Sequence, residues 1–264
     1  MKKFQVIGNP IKHSLSPEIH NYWIKNNNID AIYEKQKVNK QDLKNLISQM
    51  KSKEIAGINV TVPFKKIIIP YLDELTLEAK ETQSVNTIYL QHDKVIGHNT
   101  DIGGFEISIQ KSRFNIQNKS IFLLGAGGVA PSIIYALNKM KVSKIFLTNR
   151  SKEKAINLRK LFTNLDVVDW GEVPNFDIVI NATSLGLNKE DQITQDFSNV
   201  GKNKLFYDVI YNPQETNFLK TGKDLGNTTI NGKLMFIYQA FLAFQIWHGL
   251  KPEINEEVSK LLDK

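Results

Sequence analysis

The segment Ser120-Ile-Phe-Leu-Leu-Gly125-Ala126-Gly127-Gly128-Val129-Ala130-Pro131 constrains the fold of this chain more than any other. Its first five residues are an apolar run of strand length and its last ones open a helical stretch, so the glycines occupy a strand-to-helix turn. Gly125 permits the tight turn, Gly127 lets backbone N–H groups approach a pyrophosphate, and Ala130 allows close helix packing. Together they make the G-x-G-x-x-A form of a dinucleotide fingerprint, with the helix dipole favouring the anion. Further apolar strands are expected at 144–148, 177–181 and 205–209, separated by helical or irregular segments. That alternation predicts a parallel, Rossmann-like sheet covered on both faces.

The strand at 144–148 runs into Asn149-Arg150-Ser151-Lys152, with Lys154 close behind. An acidic residue at this place would accept hydrogen bonds from the ribose hydroxyls of NAD. A guanidinium there can instead stack on adenine and hold a 2′-phosphate in its planar fork, and Lys152 or Lys154 adds charge. The expected cofactor is therefore NADP. Arg150 carries extra weight because only three of the 34 basic residues, Arg113, Arg150 and Arg159, are arginine. Downstream, the apolar run 177–181 empties into Asn181-Ala182-Thr183-Ser184, a small polar loop placed to face the nicotinamide half of such a cofactor.

Before residue 102 the pattern is also α/β. A strand at 4–8 leads to a helix opened by Ser16-Pro17-Glu18, with Ser16 as its expected N-cap. A strand at 31–37, a helix at 40–51 and a strand at 58–62 follow, then a helical stretch from 67 to 72. Residues 87–90 and 94–98 form an expected hairpin around His92-Asp93, and 102–111 reads as a helix. The last 30 residues are expected to be helical, with 234–249 apolar almost all round and so buried against the first domain. The expectation is an α/β chain of two domains with a cleft between them. The substrate-binding domain would comprise 1–101 and 237–264, and the dinucleotide-binding domain 102–236.

Composition narrows the function. With no cysteine in 264 residues, disulfides, Fe–S clusters, thiolate zinc sites and a cysteine nucleophile are excluded. The five histidines have no metal-ligand spacing with carboxylates, no metal is expected, and His13 is singled out for its place beside a serine cluster. The net charge of +7 is spread as scattered lysines rather than a stripe, which argues against nucleic acid. No run reaches membrane-spanning length and none reads as a signal peptide, so a cytoplasmic location and no membrane partner are expected. A monomer and a homodimer are both compatible with the sequence.

Four polar clusters lie at expected strand ends and loops of the first domain: Ser14-Leu-Ser16-Pro, Asn59-Val-Thr61-Val-Pro-Phe-Lys65, Val85-Asn86-Thr87 and Asn99-Thr100-Asp101-Ile-Gly-Gly104. Such an inventory suits a substrate crowded with hydroxyls, each of which needs a partner when buried. With the Gly125–Gly128 turn, the Asn149-Arg150 pair and Gly232-Lys-Leu-Met-Phe-Ile-Tyr-Gln239-Ala240, in this order and at these intervals, the chain resembles the shikimate dehydrogenase family along essentially its whole length. The resemblance implies NADPH-dependent, reversible reduction of 3-dehydroshikimate to shikimate on the route to aromatic amino acids. It implies that Ser14, Ser16, Asn59, Thr61, Lys65, Asn86, Asp101 and Gln239 hold the substrate, with Tyr211 near its carboxylate, and that Lys65 and Asp101 are the catalytic pair. For the cofactor it implies Gly125, Ala126, Gly127, Gly128 and Val129, then Asn149, Arg150, Ser151, Lys152 and Lys154, then Thr183, Val209 and Gly232. Gln83-Ser84 and Leu77 depart from the common family pattern, at positions that concern packing.

The implied chemistry is coherent. Reducing a ketone leaves an alkoxide, which needs a positive charge beside it and then a proton. Lys65 has both, while Asp101 can accept a substrate hydroxyl and keep the lysine charged. The sequence leaves the proton transfer itself to either residue. Two other readings remain open at this point: a quinate/shikimate dehydrogenase of broader cofactor use, and a non-catalytic sensor of NADP and a ring acid, which would be expected to have lost Lys65 or Asp101.

Overall fold

The apolar run at the start of the chain forms β1 (Lys2–Gly8), and the crossover helix α1 (Ser16–Asn26) returns it to a parallel partner, β2 (Ala31–Lys37), with Phe4 opposite Tyr33. In the computed structural model, which describes residues 1–188 and 190–263, these elements belong to the first of two compact units. That unit comprises Met1–Gly104 and Ile237–Leu262; the second comprises Phe105–Phe236 with Asp263. The α/β class expected from the sequence holds in both.

In the first unit, α2 (Leu43–Lys51) follows a 3₁₀ turn and buries Leu43, Leu46, Ile47 and Met50, the i, i+3, i+4, i+7 face of an amphipathic helix. All four residues of β3 (Gly57–Val60) are buried, and the strand lies parallel to β1. The helix expected from residue 67 is reduced to a 3₁₀ turn at Ile69–Tyr71. Pro70 is the physical reason, since it removes a backbone donor and crowds the preceding turn. Next come β4 (Glu74–Leu75) and α3 (Leu77–Thr82), which is capped by the Thr76 hydroxyl. The expected hairpin is present as β5 (Thr87–Gln91) and β6 (Lys94–His98), and His92 and Asp93 take the left-handed conformation that a two-residue turn demands. The sheet order is β2-β1-β3-β5-β6-β4, and the antiparallel pairing of β3 with β5 sets Asn59 opposite Thr87. The helix α4 (Thr100–Ser112) begins directly after this sheet.

The second unit carries the cleaner alternation: β7 (Ser120–Leu124), α5 (Ala130–Lys139), β8 (Lys144–Thr148), α6 (Lys152–Leu161), β9 (Leu165–Val167), β10 (Ile178–Asn181), β11 (Leu205–Asp208), α7 (Asn217–Asp224) and β12 (Thr228–Ile230). Its six strands are all parallel in the order β12-β11-β10-β7-β8-β9. The order reverses direction between β7 and β10, a topological switch point where ligands bind beyond the carboxyl ends of the strands. Phe122, Phe176, Phe197, Phe206 and Phe218 form one buried aromatic cluster. Helix α7 closes on it through Gly222, where an added Cβ would lie 2.5 Å from the Phe206 ring.

The C-terminal segment is not helical throughout. Helix α8 (Lys233–His248) ends at Gly249, whose φ of 69° suits glycine at a helix C-terminus, and α9 (Glu256–Lys260) follows a non-helical stretch. In the first unit, Trp247 of α8 fills the space left by the missing side chain of Gly57 and donates from Nε1 to the Ile88 carbonyl at 3.1 Å. Among the described residues, no helix is long and apolar enough to cross a membrane.

Candidate functional site

In the first unit three of the four polar clusters become one hydrogen-bonded network. Lys65 Nζ lies 2.5 Å from Asp101 Oδ2, and both side chains are largely withdrawn from solvent, 13% and 9% exposed. The other carboxylate oxygen accepts from Asn86 Nδ2 at 2.9 Å, and the Asp101 N–H donates to Asn99 Oδ1 at 3.1 Å. Asp101 stands in the first turn of α4, where the helix dipole favours a carboxylate. The Asn86 side-chain oxygen accepts from the Thr100 N–H at 2.7 Å, which orients the Asn86 amide toward Asp101. Asn59 is joined to the same group by the strand register, donating from Nδ2 to the Asn86 carbonyl and to Thr87 Oγ1, each at 3.0 Å.

The serine cluster is arranged differently from expectation. Ser16 does not cap α1; Leu15 occupies the cap position without a side-chain hydrogen bond, and Ser16 is the first helical residue, followed by Pro17. The buried Ser16 hydroxyl accepts instead from Ser14 Oγ at 3.3 Å. The Glu18 and Ile19 N–H groups that a Ser16 cap would have served go instead to the Leu15 carbonyl, at 3.1 and 3.4 Å. Thr61 is half-buried beside Gly8, where an added Cβ would come within 2.6 Å of its methyl group. Gln239 lies half-buried on α8. Tyr211 belongs to the second unit, where its ring packs on Phe236 with centroids 4.2 Å apart. His13 is exposed.

In the second unit the glycine turn lies where the fingerprint requires it, between β7 and α5. Gly125 has φ 104°, a conformation reserved for glycine, and a Cβ there would strike Thr183 and the Ala182 carbonyl. At Gly127 an added Cβ would meet only the Ala182 oxygen, 3.9 Å away, so the turn is open on the ligand side. No side chain caps α5, whose first turn begins beyond Gly128 and Val129. Asn149 Oδ1 accepts from the Ala126 N–H at 3.0 Å, linking this turn to the end of β8. Arg150, Ser151, Lys152 and Lys154 are exposed beside it, and Lys152 pairs with Asp169 at 2.5 Å. Val209 and Gly232 are in direct contact, since a side chain on Gly232 would sit 2.0 Å from the Val209 carbonyl. An open glycine turn at an uncapped helix start with cations at the next strand end fits a dinucleotide carrying an extra phosphate.

Two supporting residues were not legible in advance. Tyr33, buried in β2 ahead of four exposed polar residues, donates to Asn59 Oδ1 at 2.6 Å. Asp208, at the inner end of β11, is fully buried and burial pushes its carboxyl up to about 6, against the opposing pull of hydrogen bonds from the Ile210 N–H, Thr216 and Asn181. An aromatic residue in a charged strand and an acid closing an apolar strand are the signals that mark them. Among the described residues, no group of three His, Asp or Glu side chains is placed to hold a metal ion.

Comparison with known proteins agrees with this geometry. Residues 6–88 match the shikimate dehydrogenase substrate binding domain, and residues 108–215 match the family described as shikimate / quinate 5-dehydrogenase. A shikimate dehydrogenase (NADP(+)) of Pelagibacter ubique is 55% identical over 262 residues, covering 99% of each chain. The crystal structure of shikimate dehydrogenase from Aquifex aeolicus superposes with a TM-score of 0.91 at 38% identity, covering 99% of this chain and 97% of that one. The Thermus thermophilus shikimate 5-dehydrogenase, solved in complex with NADP(H) and shikimate, gives a TM-score of 0.88 at 26% identity, with 99% and 98% covered. With its substrate-domain network and its nucleotide turn both matched along their length, this chain belongs to the shikimate dehydrogenase family.

Proposed function

We propose that this protein is an NADP-dependent shikimate dehydrogenase, which reversibly reduces 3-dehydroshikimate to shikimate. The observation that carries the reading is the Lys65–Asp101 ion pair, held by Asn86 inside a network of buried amides and hydroxyls. A lone buried ion pair is a poor investment in stability, because desolvation offsets most of the attraction. One ringed by groups able to bind hydroxyls is an arrangement suited to chemistry on a polyol.

The bound dinucleotide supplies the hydride. Lys65 then has two tasks at one atom: its ammonium lies beside the carbonyl oxygen as negative charge develops there, and it passes a proton from Nζ to the resulting alkoxide. Asp101 accepts a hydrogen bond from the neighbouring substrate hydroxyl and holds Lys65 in place. Asn59, Asn86, Thr61 and Gln239 hold the ring hydroxyls, and Ser14 and Ser16 hold the carboxylate; Tyr211 is a further proposed substrate residue. The backbone of residues 125–129 receives the pyrophosphate, with Asn149 fixing the turn from behind. Arg150, with Ser151, Lys152 and Lys154, receives the 2′-phosphate, while Thr183, Val209 and Gly232 border the nicotinamide. A chain without cysteine is at no disadvantage in a reducing compartment, and the cytoplasm is its proposed location.

The test is a spectrophotometric assay of shikimate and quinate, each with NADP and with NAD. Turnover concentrated in the shikimate and NADP pair is expected. Quinate turnover at a comparable rate would move the assignment to the broader quinate/shikimate enzyme, and no turnover with any pair would overturn it.

A further inference from the structure

Helix α1 grips one tyrosine of β2 in two ways. Asn21 clamps its backbone, donating from Nδ2 to the Tyr33 carbonyl at 2.8 Å and accepting from the Tyr33 N–H at 2.9 Å. His20 lies flat against its ring, with centroids 4.2 Å apart and planes 3° from parallel. The Tyr33 phenol donates to Asn59 Oδ1 at 2.6 Å.

Packing alone does not account for this tyrosine. Its side chain is 2% exposed, and a phenylalanine would fill the same space without burying a hydroxyl that must be satisfied. The hydroxyl does something that a phenyl ring cannot. By occupying the oxygen end of the Asn59 amide, it obliges the NH₂ end to face the Asn86 carbonyl and Thr87, where it donates two bonds. The direction of the Asn59 amide, and so the groups left for a ligand, is thus set from β2. His20 is suited to its part: neither of its ring nitrogens has a partner among the described residues, and burial keeps the ring neutral, as a flat apolar face.

We propose that Tyr33 is a positioning residue of the substrate site, a strut that fixes the Asn59 amide so that its cluster presents one ordered polar surface to a hydroxylated ring acid. The inference rests on the function proposed above. It adds a determinant of shikimate affinity that does not itself touch the substrate.

The test compares full-length wild type with Tyr33→Phe, using shikimate as the probe. Calorimetry without dinucleotide gives the shikimate Kd, steady-state kinetics give both KM values and kcat, and thermal melting reports the fold. Loss of one buried hydrogen bond predicts that Kd and KM for shikimate rise about tenfold, while kcat and the KM for NADP stay within about threefold. Asn21→Ala loosens the Tyr33 backbone but keeps its hydroxyl, and is expected to raise the shikimate KM in the same selective way by a smaller factor. Shikimate constants within about twofold of wild type would overturn the strut. So would equal losses for both substrates accompanied by a lower melting temperature, since that pattern is general loosening. Absence of wild-type turnover would sink the functional reading and this inference with it, whereas a silent Tyr33→Phe sinks this one alone.

Discussion

Asn181 donates from Nδ2 to the Asp208 carboxylate at 3.1 Å, across the pairing of β10 with β11. The opposite end of the same amide receives both the N–H and the hydroxyl of Thr183, at 3.0 and 2.7 Å. Asp208 also accepts from the Ile210 N–H at 2.9 Å and from Thr216 Oγ1 at 2.7 Å. One buried carboxylate therefore organises the loops after β10 and β11, beside the switch point of the nucleotide sheet.

This carboxylate has a pH signature. With its folded value raised to about 6, Asp208 holds a proton between about pH 4 and pH 6 that the unfolded chain has released. Its contribution to stability therefore falls as pH rises through that window and is constant above it. Asp208→Asn cannot titrate. The difference in unfolding free energy between wild type and variant, measured by urea denaturation, is expected to move against wild type from pH 4 to pH 6, by up to about 1.4 kcal/mol per pH unit. A difference independent of pH would show that Asp208 has an ordinary carboxyl.

The histidines act with the opposite sign. Burial, with the nearby His248, lowers His20 to about 3, and burial, with Lys2, lowers His248 to about 4. Below the ordinary histidine value of about 6.5 the unfolded chain takes up protons that the folded chain refuses, so stability contributed by these two rings is lost as pH falls from about 6.5. Histidine C2-proton titration by NMR checks this directly. Two resonances should remain in the neutral position at pH 5, and their movement near pH 6.5 would contradict it.

Lys65→Ala removes the ammonium paired with Asp101. It is expected to lower kcat by about 10² or more with little change in KM, the scale of general-acid and oxyanion contributions. Initial rates with shikimate and NADP decide it; an unchanged kcat would take Lys65 out of the mechanism.

Arg150→Ala is expected to raise the KM for NADPH about tenfold or more and to leave that for NADH nearly unaffected, because only the former has a 2′-phosphate to lose its planar partner. Equal changes for both cofactors would show that Arg150 does not read that phosphate. Since Lys152 is already paired with Asp169, Arg150 and Lys154 should carry most of the discrimination.

How far the sequence foretold this molecule depends on whether the informative contacts are local. The β7–α5 turn was legible because glycine, strand and helix signals lie within twelve adjacent residues, and the β5–β6 hairpin because His92-Asp93 separates two short apolar runs. The strands β4, β9 and β12 have two or three residues each, too few to display a period. Ser16 reads as a cap because Ser-Pro-Glu has the right local chemistry, while the Leu15 carbonyl takes the N–H groups that such a cap would serve. Lys65, Asn86 and Asp101 were found through family resemblance rather than pattern, since a lysine after Pro-Phe is locally unremarkable. Tyr33 and Asp208 escaped because their partners, Asn59 and Asn181, lie 26 and 27 residues away and meet them only through sheet register.

The first unit is assembled from both ends of the chain, with the second spliced into it. Trp247 and the Ile88 carbonyl that it satisfies are separated by 159 residues. On the ribosome, every strand of the nucleotide sheet has been made before that indole emerges, so Lys65 and Asp101 belong to a half-finished layer until α8 has been made. A ribosome stalled just short of α8 would release a chain whose nucleotide sheet has all its strands and whose substrate-binding layer still lacks its closing helix.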